Sequence, residues 1–63
     1  MDGDQVRAVL QVLDGLEFPA ARWQILTQAD LYGADARTRG ALFRLPTREY
    51  GSPRDITAEL KAS

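Results

Sequence analysis

The sequence predicts an all-α fold: four short helices packed around one small core. Three observations carry that expectation. Apolar residues recur at helical spacing in four separate stretches. Each stretch is bounded by residues that start or stop helices. No stretch alternates apolar and polar residues with a period of two, so no strand is expected. The 63 residues are read as one small helical domain, with residues 1–3 and 62–63 fraying at its ends.

In the first helix Val6, Val9, Leu10 and Leu13 recur at i, i+3, i+4 and i+7. Asp4 is placed to cap its start, and Gly15 to end it with a left-handed residue. Leu16 and Phe18 follow in a connection expected to tuck against the core. Pro19 sets up the second helix, from about Ala21 to Tyr32, which stops at Gly33. Its main apolar face is Ile25, Leu26, Ala29 and Tyr32. Asp35 caps the third helix, which runs to about Leu45 with Ala41, Leu42 and Leu45 inward and Thr38 beside them. Pro46 ends it, because the residue before a proline is pushed out of the helical region and the ring supplies no N–H.

Ser52-Pro53 starts the fourth helix, roughly Pro53 to Lys61, anchored by Ile56 and Leu60. The serine hydroxyl can accept from an orphan N–H, and proline costs nothing at the first helical position. Asp55 lies three residues after Ser52, where a capping-box acid sits and where negative charge suits the helix N-terminus.

Composition removes several kinds of chemistry. There is no cysteine, which excludes disulfides and thiolate metal sites. There is no histidine, the commonest metal ligand and general base. The remaining candidates, Asp14 with Glu17 and Glu49 with Tyr50, form no obvious pair facing across a cleft. Gly33, Gly40 and Gly51 are too far apart to make a phosphate-cradling loop. Neither catalysis nor a cofactor, metal or small-molecule substrate is expected. No run approaches the length of a membrane span, and Met1-Asp2-Gly3-Asp4 lacks the basic and apolar regions of a signal peptide. The expected location is the cytoplasm.

The net charge of -1 is unevenly distributed. Residues 1–34 carry five acids against two arginines, and residues 35–63 carry four acids against five arginines and a lysine. The basic second half is a faint sign of nucleic-acid contact, well short of the strongly basic face such proteins show.

Leu45-Pro46, then Arg48-Glu49-Tyr50, then Ser52-Pro53 form a run dense in structural punctuation. With Phe18-Pro19-Ala20 and Gly33-Ala34-Asp35, it resembles the short bacterial proteins called domain of unknown function 2795. The resemblance extends from about Val6 to Ile56 and implies a small helical fold with no assigned activity. Every residue it shares also has a folding explanation. Tyr50 is expected to pack its ring on the core and bond its hydroxyl to backbone, with Arg48 and Glu49 pairing to nearby helix ends.

Two surface features remain. Trp23, Thr27 and Leu31 share a stripe rotated by roughly 130–150° from the Ile25/Ala29 face, and Phe43 lies about 150° from the Leu42/Leu45 side of its helix. Trp23, Leu31 and Phe43 are therefore candidate partner-binding residues. Arg37, Gly40 and Arg44 share one side of the third helix, and with Arg48 the arginines are the alternative nucleic-acid contact. The expected function is a small non-catalytic helical interaction module that binds another protein or itself. The alternative is a weak nucleic-acid-binding protein using the arginines of the third helix.

Overall fold

The computed structural model describes residues 3–62. Its first helix, α1, is Gly3–Leu13. Asp4 lies inside the first turn rather than ahead of it, where its charge still suits the helix N-terminus. Gly15 adopts the expected left-handed conformation, with φ of 86°, and the Leu16 N–H returns to the Leu13 carbonyl at 3.0 Å. Val9, Val12 and Leu13 are buried, whereas Leu10 is half-exposed. The cause is tertiary. α1 packs against all three other helices, so its buried arc includes Val12 and leaves Leu10 at the rim.

The expectation of no strands is corrected. Ala20–Ala21 (β1) pairs antiparallel with Glu49–Tyr50 (β2), Ala20 opposite Tyr50 and Ala21 opposite Glu49. The fold is mostly helical with a small two-stranded sheet. Two-residue strands are too short to show alternation, and alanine carries little strand signal. The pairing also moves Pro19 back from the second helix, since β1 separates them. Leu16 and Phe18, in the preceding connection, pack against the core as expected.

α2 spans Arg22–Tyr32. Ala21 at its N-cap has no side-chain acceptor, so only half a capping box forms: the Ala21 N–H donates to Gln24 Oε1 at 2.8 Å. Gly33, with φ of 81°, closes the helix. The Ala34 N–H reaches the Ala29 carbonyl at 3.0 Å, the long bond of a Schellman ending. Ile25 and Ala29 are buried and Leu26 partly so, but Tyr32 is exposed, its hydroxyl beside Gln11 at 3.5 Å. Tyr32 sits on the last turn of α2, beyond the reach of the core.

α3 is Ala36–Phe43, shorter than expected because Arg44 and Leu45 leave the helix ahead of Pro46. The Asp35 carboxylate accepts from the Thr38 N–H at 2.8 Å, the expected cap. Thr38, Ala41 and Leu42 point inward, and Leu45 remains buried beyond the helix end.

α4 is Pro53–Ala62. Ser52 Oγ accepts from the Asp55 N–H at 3.2 Å, as expected. The Asp55 carboxylate reaches one residue further back than a capping box requires, accepting from the Gly51 N–H at 3.0 Å. Gly3 opens α1 and Ala62 closes α4, while residues 1, 2 and 63 lie outside the described residues. The core joins Val9, Leu13, Ile25, Leu42, Tyr50 and Ile56 from all four helices and β2.

Candidate functional site

The Arg48–Tyr50 segment is a latch. Tyr50 is wholly buried, and its hydroxyl donates to the Pro46 carbonyl. Arg48 spans the Asp55 carboxylate at 3.2 and 3.3 Å and reaches Glu59 at 3.1 Å. It also donates to the Glu49 carbonyl at 2.9 Å and stacks 4.0 Å from the Tyr50 ring centre. The expected pairing of Arg48 with a helix end is therefore present. The same expectation for Glu49 is corrected: it lies exposed in β2, and its carboxylate pairs with no helix end among the described residues. The arginine candidate with the most built-in partners is held by the protein itself.

The latch and the α3 cap give acid sensitivity. The Arg48 guanidinium and then the Gly51 N–H hold the Asp55 carboxyl below its ordinary value, and Thr38 does the same for Asp35. Groups with lowered folded pKa values add stability above their unfolded value, and that stability is lost as pH falls through the folded value. Urea midpoints are therefore expected to be flat above about pH 5 and to fall below about pH 4. Asp55→Asn should flatten that acid limb while lowering the plateau. Midpoints measured from pH 2.5 to 7 check both.

A second feature opens between α2 and α3. An open groove of about 470 Å³ is lined by Leu26, Ala29, Asp30, Ala36, Arg39, Gly40, Phe43 and Arg44. Ala36 and Gly40 lie one turn apart and keep the α3 wall low. Phe43 stands at one end, 67% exposed. Arg22 fixes it there, donating to the Phe43 and Leu45 carbonyls at 2.6 and 2.8 Å, its guanidinium 4.9 Å from the ring centre. Those bonds satisfy carbonyls at the end of α3, where a cation is also favoured. Across the groove Arg39 meets Asp30 at 3.3 Å, both largely exposed.

Of the three candidate partner-binding residues, Phe43 alone lines this groove. Trp23 is 68% exposed and lies about 60° round α2 from Leu26, at the groove's border. Leu31 is 79% exposed but about 140° from Leu26, on a separate part of α2. Of the alternative set, Arg44 lines the groove, Arg37 is exposed on α3, and Arg48 belongs to the latch. Arg22, Asp30 and Arg39 were not among the candidates, and Leu26 was expected only on the core face of the second helix. The only local hint was Gly40, a helix-weakening residue beside outward Phe43.

Gly40 tests whether the groove floor serves folding. A Cβ built there meets nothing within 4 Å. Gly40→Ala is therefore expected to stabilise the protein by about 0.8–1 kcal/mol, the propensity difference alone. Thermal and urea unfolding check the sign.

Among the described residues, no group of three or more Asp or Glu is placed to hold a metal ion, and no helix is long and apolar enough to cross a membrane. The surface of this small four-helix domain thus carries an open groove between α2 and α3 and an internally satisfied arginine latch. A family model described as protein of unknown function (DUF2795) matches residues 5–57, and the chain belongs to that family. Comparison with curated proteins and with solved structures finds no match.

Proposed function

We propose that this chain is a non-catalytic cytoplasmic interaction module that docks to another protein or to itself through α2 and α3. The observation that carries this reading is the exposure of Trp23 and Phe43, at 68 and 67%, beside the α2–α3 groove, while Leu31 is exposed on a separate part of α2. Large side chains of these types anchor interfaces, and helix-lined apolar grooves accept side chains from a partner. Nucleic-acid binding is less well supported. Arg48 is bound to Asp55 and Glu59, and Arg39 to Asp30, which leaves too few unpaired arginines on this face to form the row of cations a phosphate backbone needs.

Sedimentation and tryptophan emission across a dilution series test self-association. Capture from a lysate tests a foreign partner, with Phe43→Glu as the control for both. Docking predicts either a concentration-dependent complex or a captured protein that Phe43→Glu loses while its helical signal stays intact. A strict monomer that retains nothing sensitive to Phe43→Glu overturns the reading.

A further inference from the structure

Resting on that docking reading, the geometry points to the occupant: we propose that the α2–α3 groove receives an amphipathic helical segment of another protein, apolar along one face and flanked by Asp or Glu. The walls suit the apolar face. Leu26 and Ala29 come from α2, Ala36 and Phe43 from α3, and the low position at Gly40 lets a side chain enter between the helices. An amphipathic helix laid across two helices inserts residues at i, i+3 or i+4 spacing into such a groove.

The charges select acidic flanks. Asp30 is the only acid lining the groove, and it already faces Arg39 at 3.3 Å. Arg44 also lines the groove. Asp30 and Arg39 balance each other, so Arg44 leaves the groove lining with one positive charge in excess. A carboxylate arriving beside Arg44 gains a favourable field, whereas a lysine there meets like charge. The same arithmetic disfavours a second copy. A second copy would bring the same lining with its excess positive charge, so pressing two such faces together sets like charge against like charge.

The test uses two synthetic helical peptides of identical length, each with leucines at i, i+4 and i+8. One carries Glu on the flanking positions and the other Lys. Titrations follow Trp23 emission and the amide resonances of Gly40, Phe43 and Arg44 in the full chain. The Glu peptide is expected to give saturable shifts confined to α2 and α3, and to bind at least about tenfold more tightly than the Lys peptide at low salt. The preference should shrink as salt rises and reverse in Arg44→Glu. Gly40→Leu should abolish binding while keeping the helical signal, because it fills the groove from a helix position with open space around it.

Equal binding of both peptides, insensitive to Gly40→Leu and Arg44→Glu, overturns the acidic-helix assignment while leaving the docking reading to its own sedimentation and capture tests. So does binding of neither peptide. Groove resonances that move with the concentration of the free protein assign the groove to a second copy instead. Shifts at Arg37 and Arg44 produced by duplex DNA, with none from the Glu peptide, assign the surface to nucleic acid.

Discussion

Tyr50→Ala is expected to leave the chain largely unfolded at room temperature. Tyr50 is the largest fully buried side chain, and truncating a buried aromatic typically costs about 3–5 kcal/mol. A domain of this length has roughly 3–9 kcal/mol of stability in total. The residue also joins separate parts of the structure, pairing with Ala20 through its backbone and with Pro46 through its hydroxyl. Tyr50→Phe isolates the second contribution. It keeps the ring and its stacking with Arg48 but strands the Pro46 carbonyl, for an expected loss of about 1–2 kcal/mol. Circular dichroism and urea melts of the two variants separate ring from hydroxyl. A Tyr50→Ala protein as stable as the parent would mean that the ring does not hold the core together.

The second large effect is a contrast within one helix. Ile25→Ala is expected to cost about 2–5 kcal/mol, because Ile25 is wholly buried among residues of several elements. Trp23→Ala, two residues earlier and larger in the number of atoms removed, is expected to change stability by no more than about 0.5 kcal/mol. Its ring is mostly in solvent, and its backbone carbonyl, which accepts from Thr27 Oγ1, survives the substitution. Denaturant unfolding of both variants checks the pair, followed by circular dichroism because Trp23→Ala removes the fluorophore. Comparable losses would place Trp23 in the core and remove the main support for a docking surface.

The features legible in the sequence were the local ones. Asp35, Ser52, Gly33 and Gly15 act on backbone groups within a few residues, so their identity and position announce the helix ends. The outward placement of Trp23, Leu31 and Phe43 followed from helical angles alone. The missed features all depend on residues distant in the chain. Arg22 reaches carbonyls more than twenty residues away, and Asp30 meets Arg39 only because α2 and α3 turn back on each other. The Ala20–Tyr50 pairing is likewise invisible to periodicity, since neither partner extends for more than two residues. Leu10 and Tyr32 show the same lesson: helical spacing defines a face, and the neighbours decide how much of it is covered.

The short sheet has a kinetic consequence. By pairing residue 20 with residue 50, it closes a loop that contains the whole of α2 and α3. Helices form on local contacts in about a microsecond, whereas joining distant segments must first overcome the entropy of loop closure. The bridge is therefore expected to form late, once α2 and α3 have folded back and brought their outer ends together. Once formed, it can open only by parting Tyr50 from the packed interior. Slow amide exchange at the buried Ala20 and Tyr50 is then expected to gauge global unfolding, while the helix ends exchange through local fraying.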